Sequence, residues 1–342
     1  MAGASSSPND KMKRMQESLR GYGFTLAAVW VAFCIAALFY AQLYNIPAAV
    51  ALSVIPAFLL EVAFYLATGM EPVRRRVEAS AAPAMLAALM TASAVVPYCI
   101  AALGTGSFEL RSLVTLLVLA GTASFWYLFA GSRTLADVGF LALMAAVYLS
   151  KIFNTIYVTP SPKVTLSILG AAMWIRIGMM ACLSIRKMGG IHFGFIPRWK
   201  EWKIGVIHYF GFLPFGYFVG NYFGLLHPQT VTPASKAVLL VIATFLGTLW
   251  VLAAMEEFFF RGVLQQMIRR ETNDDFVAIL ITAVIFGLAH LPYGHAFPNW
   301  KMAVMAGIHG VVLGHAYLQA GSVRAPMVTH ALVVTTWKVF LD

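Results

Sequence analysis

Apolar residues run along this chain in long blocks rather than in alternation. A helix crossing the hydrocarbon core of a bilayer needs about 20 mostly apolar residues. Eleven blocks come near that length: Phe24–Tyr44, Ile46–Thr68, Ala84–Leu103, Leu113–Ala130, Val138–Val158, Val164–Ile185, Ile204–Leu226, Ala237–Ile268, Phe276–Leu291, Met302–Leu318 and Met327–Leu341. The pattern predicts an all-α fold, a polytopic transmembrane helical bundle of about 11 spans. Polar stretches divide it into a tail at residues 1–23, a six-span region at 24–185, a basic loop at 186–203 and a five-span region at 204–342. No internal repeat is visible. The first block exceeds a signal-peptide core of about 7–15 residues, so it reads as a retained span. The eighth holds 32 residues. At 1.5 Å per residue it reaches about 48 Å against roughly 30 Å of hydrocarbon, so it must tilt, break near Gly247 or project beyond the bilayer.

Composition agrees with the blocks. Hydrophobic residues make up 60% of the chain and charged residues 11%, where a soluble domain carries about 25% charged. Mean hydropathy is +0.78. A cytosolic enzyme, a disordered chain and a nucleic-acid binder are excluded. The net charge of +10 therefore reads as loop charge. With the N-terminus cytoplasmic, 16 Lys and Arg fall in cytoplasmic segments, 5 outside and 3 (Lys151, Arg176, Arg261) within spans. That imbalance fits the positive-inside tendency, and the expectation is a multi-pass protein of the cell membrane whose first partner is the lipid bilayer. Cys34, Cys99 and Cys182 lie in apolar blocks, so they indicate packing rather than a disulfide framework or metal cluster.

Ionisable groups inside spans are costly and mark function or pairing. Glu61 and Arg176 lie at similar depth and read first as a structural ion pair. Lys151 has no evident partner and reads as snorkelling. Glu256 and Glu257 stand in Glu-Glu-Phe-Phe-Phe-Arg, with Arg261 four residues after Glu257. Positions i and i+4 share a helix face, so Arg261 can neutralise Glu257. Glu256 points about 100° away, which leaves it free to take a proton from water and return it. With Asn273 as the centre of a turn, Glu256 lies 17 residues before it and His290 17 after. Two unbroken antiparallel helices would bring both to one depth, where they could polarise a water. Ala306, Gly310 and Gly314 form a small-residue stripe flanked by His309 and His315, and both histidines read first as structural. Depth arithmetic from the preceding turn favours His309 over His330 as a third member of the site.

Glu256-Glu257-xxx-Arg261-Gly262, then Phe286-xxx-His290, then Gly-Ser-xxx-Pro-xxx-His330-Ala-Leu resembles the CPBP family of intramembrane endopeptidases. That is the CAAX protease and bacteriocin-processing group, related to the type II CAAX prenyl endopeptidase. The motifs span roughly Lys236 to Thr336. The resemblance implies that residues 204–342 are a protease-like membrane domain in which Glu256 activates water and His290 assists. Glu257 and Arg261 would hold the geometry, and His330 would help stabilise the oxyanion. It carries His330 into the site despite the depth arithmetic. One position departs from the family: an Asn commonly stands four residues after the last His, and here Val334 does.

The leading expectation is thus an endopeptidase acting on a membrane-associated or lipidated peptide without a cofactor. Zinc on Glu256, His290 and His330 is the lesser alternative, because Arg261 would compete with a cation. A non-catalytic scaffold or immunity-type relative is the second reading, supported by Val334. A transporter relaying charge through Glu61, Lys151, Arg176 and Glu256 is the third; it lacks the inverted repeat expected of one. Substrate identity, oligomeric state and the role of the six N-terminal spans are not legible in the sequence.

Overall fold

The computed structural model describes residues 8–294 and 297–342, so the first seven residues of the predicted tail lie outside it. Every named element among the described residues is a helix. The chain divides into two compact units, Met1–Lys187 and Met188–Asp342, with the break inside the predicted basic loop. Among the described residues six helices are long and apolar enough to cross a membrane: Leu19–Leu43, Ala48–Gly69, Pro83–Gly104, Leu110–Ala130 and Ser167–Ile185 in the first unit, and Ala234–Thr272 in the second.

The first unit contains α1 (Pro8–Leu43), α2 (Ala48–Gly69), α3 (Glu71–Ser80), α4 (Pro83–Gly104), α5 (Leu110–Ala130), α6 (Thr134–Leu149), α7 (Phe153–Ile156) and α8 (Ser167–Ile185). Its packing centres on α2, α4, α5 and α8. Tyr22 and Trp30 of α1 donate to the carbonyls of Ala63 and Leu59, at 2.9 and 2.8 Å, and tie α1 to α2. Inside, Arg176 grips Glu61 with two bonds, Nε to Oε1 at 2.8 Å and Nη2 to Oε2 at 3.1 Å. Its Nη1 donates to Ser93 Oγ at 2.8 Å. The fifth predicted span is corrected. Helix α6 stops at Leu149 after 16 residues, about 24 Å of rise. The chain then turns at Lys151, which adopts φ 53° and is exposed. The polar run Ser150-Lys151 ends the helix where the apolar pattern alone suggested continuity.

The second unit holds α9 (Trp199–Tyr222), α10 (Ala234–Thr272), α11 (Asp275–Leu288), α12 (Trp300–Ala320) and α13 (Arg324–Phe340). Helix α10 is unbroken over 39 residues, about 58 Å of rise if α-helical throughout. It does not break at Gly247. It widens into π-helix at Thr248–Leu252 and again at Phe258–Gln265, on either side of one α-helical turn, Ala253–Glu257. Single π segments inside α-helices recur at functional sites. The helix ends at Asn273, which is left-handed at φ 52°. Asp274 then caps α11 by accepting from the amides of Phe276 and Val277, at 2.8 and 3.0 Å.

Helices α11 and α12 meet almost backbone to backbone. A Cβ on Gly287 would stand 2.6 Å from the Ala303 carbonyl, and one on Gly310 would stand 3.0 Å from Ala283 Cα. The stripe of small residues makes that approach possible.

Residues Met188 to Arg198 lie within the expected basic loop at 186–203 and form neither helix nor strand. They form an ordered strap within the second unit. Met188, Ile191, Phe193 and Phe195 are buried. The strap's carbonyls accept from the rest of the unit: Gly190 from Tyr317 Oη at 3.3 Å, Ile191 from the Val323 amide at 3.3 Å, His192 from Ser322 Oγ at 3.1 Å and Phe195 from Trp250 Nε1 at 3.0 Å. Phe193 meets Phe258 of α10 edge-on at 5.3 Å. The physical reason is the alternation Ile191-x-Phe193-x-Phe195, whose apolar face outweighs the flanking charge.

Candidate active site

The site is built on the α-helical turn of α10. Glu257 is fully buried and takes Arg261 and His330 on the same oxygen. Arg261 Nη1 donates to Glu257 Oε1 at 3.2 Å and lies equally close to Oε2. The distance from His330 Nδ1 to Oε1 is 2.7 Å. Arg261 spends Nη2 on the Gly310 carbonyl of α12 at 3.2 Å, and its guanidinium lies over the Phe286 ring at 4.4 Å. One turn further, Gln265 Nε2 donates to the Gly314 carbonyl at 3.1 Å. Arg261 and Gln265 are thus two rungs from one helix onto Gly310 and Gly314 of the next.

Glu256 is placed differently. Its Oε2 is buried without a hydrogen-bond partner and stands 3.9 Å from His330 Nε2, beyond hydrogen-bond reach. Its side chain keeps 16% of its surface exposed, against 0% for Glu257.

The tautomers of two histidines follow from their partners. A carboxylate only accepts, so His330 Nδ1 carries the hydrogen given to Glu257 and a neutral ring presents a lone pair at Nε2. His290 Nδ1 contacts the Phe286 carbonyl at 2.8 Å. That carbonyl likewise only accepts, so the neutral ring keeps its lone pair at Nε2. The Phe286 ring lies 4.7 Å from the His290 ring and 6.1 Å from the His330 ring, joining them with Arg261 around one aromatic.

Glu256, Glu257, Arg261 and His330 therefore come together directly, and His290 reaches them across Phe286. Among the described residues the ionisable group within 4 Å of Glu256 is His330; the expected sharing of one water between Glu256 and His290 remains a proposal. Depth matching required unbroken helices, but α11 ends at Leu288, short of His290, and α10 is π-helical beside the motif. His309 also joins, its ring edge-on to His330 at 5.3 Å and against Phe212 at 4.7 Å. His315 does not; it pairs with His208 at 2.9 Å on an exposed face. The Gly310 and Gly314 carbonyls and Gln265 were missed. Their signal was present in the matching four-residue spacing of 261 and 265 against 310 and 314. Among the described residues no group of three or more His, Cys, Asp and Glu side chains is arranged to hold a metal ion.

This geometry defines a class: a helical membrane protein whose C-terminal unit buries an acid, histidine and arginine cluster at a widened helical turn. Within that unit, residues 236–336 match the family model described as type II CAAX prenyl endopeptidase Rce1-like. The stretch, just under a third of the chain, is similar to that protease family, and it carries the three motifs that resemble the CPBP group. No curated protein and no solved structure matches the chain.

Proposed function

We propose that the protein is a glutamate-dependent intramembrane endopeptidase. The observation that carries this reading is Glu256 Oε2, a buried acceptor with no bond of its own, beside a second acid whose bonds hold everything around it. Native proteins partner nearly all buried polar atoms, so an unspent one calls for an explanation. Here the explanation is a reacting water.

Glu256 takes a proton from that water as its oxygen adds to the peptide carbonyl carbon, and the carbonyl electrons move onto oxygen. His290, with its Nε2 lone pair, assists in orienting the water. His330 can stabilise the developing oxyanion through Nε2 only when its ring carries a second proton, because Glu257 holds the Nδ1 hydrogen. Collapse of the tetrahedral intermediate expels the amine, which leaves with the proton held by Glu256. General-base work of this kind is worth about 10²–10⁴ in rate. Glu257 and Arg261 position His330 and the α10 backbone. The reaction needs no metal, because the Arg261 guanidinium already neutralises Glu257 and a cation would compete with it.

The substrate is a membrane-associated or lipidated peptide tail. The name of the matching family suggests a prenylated Cys-aliphatic-aliphatic-X terminus as the first class to try.

The test compares new peptide termini in membranes from cells carrying wild-type protein or Glu256→Gln at matched abundance. Termini that vanish with Glu256→Gln, and persist in strong chelator, support the reading. Identical termini would overturn it in favour of a non-catalytic scaffold.

A further inference from the structure

An oxyanion needs a hydrogen-bond donor, and the site's donors are nearly all spent. His330 gives its Nδ1 hydrogen to Glu257, His290 gives its own to the Phe286 carbonyl, and Gln265 donates to Gly314. Arg261 uses Nη1 and Nη2 on Glu257 and Gly310. A neutral His330 therefore has no N–H left for substrate. Val334, one helical turn beyond it, offers none.

Three atoms of the second unit that can donate make no hydrogen bond at all: Arg261 Nε, Thr282 Oγ1 and, in the tautomer that carries its hydrogen there, His309 Nε2. All three atoms are buried. Arg261 is already committed to Glu257 and Gly310, and of the other two His309 is the one whose ring touches His330, edge-on at 5.3 Å. It stands on α12, whose close seam with α11 fixes its position. We infer that His309 is a further catalytic residue: its Nε2–H donates to the carbonyl oxygen of the scissile bond as negative charge develops there. This rests on the hydrolase reading above and names a donor for it. A His330 ring that acquires a second proton joins later, through Nε2.

The test follows the rate at which Glu256-dependent termini appear in membranes, at matched abundance. Removing one oxyanion donor costs about 10²–10³ in rate, so His309→Leu falls by that factor. His309→Gln, which returns an N–H near the same place, stays within about tenfold of wild type. Adding Val334→Asn to His309→Leu restores at least tenfold, because it offers an amide on the other side of His330. Thermal unfolding in detergent checks that each variant is folded. Full activity in His309→Leu overturns the inference. So does a loss that His309→Gln shares and Val334→Asn does not relieve, which is the signature of packing against Phe212. A wild type no more active than Glu256→Gln would overturn the hydrolase reading itself, and this inference with it.

Discussion

Each unit of this protein buries an acid against an arginine, and the two do it in opposite ways. In the first unit, Arg176 meets both oxygens of Glu61 and adds Ser93, so no oxygen of the acid is left over. In the second, Glu257 accepts Arg261 and His330 on one oxygen while its Oε2 and the neighbouring Glu256 Oε2 make no hydrogen bond. Both arrangements carry charge into a low-dielectric interior, where an incomplete network is expensive. The first is completed and has nothing to offer a ligand. The second stays open on the side where Glu256 stands. The difference separates a strut from the proposed site more clearly than burial does, because both acid–arginine pairs are buried.

The largest effect that sharpens this contrast is on chemistry. Glu256→Gln should lower terminus formation by about 10²–10⁴ while leaving thermal unfolding within about 1 kcal/mol of wild type, since the lost oxygen has no bond to lose. Next, Arg176→Ala should cost about 3–5 kcal/mol in detergent unfolding by stranding Glu61. Replacing both partners with Leu and Met should be neutral or stabilising, because a completed pair gives little net stability over apolar packing. If the double replacement instead abolished cleavage per folded molecule, the first unit would be more than a strut. Gly310→Ala comes third. Its Cβ would press Ala283 at 3.0 Å and Phe286 at 3.3 Å, costing about 1–3 kcal/mol as overpacking. Cleavage should fall with it, because the Gly310 carbonyl anchors Arg261. The smallest effect is Asp274→Ala, which uncaps α11 for about 0.5–2 kcal/mol with cleavage per folded molecule unchanged.

The helical character of the chain was legible from apolar block length, and Glu61–Arg176 and Glu257–Arg261 from depth and spacing. Block length failed where a local polar pair interrupts it: Ser150-Lys151 ends α6 early, and no count of apolar residues marks that turn. It did not show that residues 188–198 pack within the second unit, because charge at the ends of a segment masks an apolar alternation within it. At the site, composition could not show π-helical turns, which shift the faces of α10 without changing a residue. That shift is why depth counted from the Asn273 turn did not show His330 beside Glu256. Depth counted from the turn at Ser322 drew attention to His309 and the motif context to His330, and the two rings lie 5.3 Å apart. Which atoms remain unspent was invisible in sequence, since it depends on every partner at once.

The close seams of the second unit also bear on how the proposed polypeptide substrate would reach Glu256. An extended chain needs about 4.7–4.9 Å to lie beside another backbone. Between α11 and α12 there is not room for a single added carbon at Gly287, and between α9 and α13 a Cβ on Gly205 would stand 2.6 Å from Val328 Cβ. Both seams are walls to a threading peptide. The first arm of α10, Ala234–Gly247, buries none of its side chains, so it is the boundary with least to give up if the unit opens sideways to admit a chain from the bilayer.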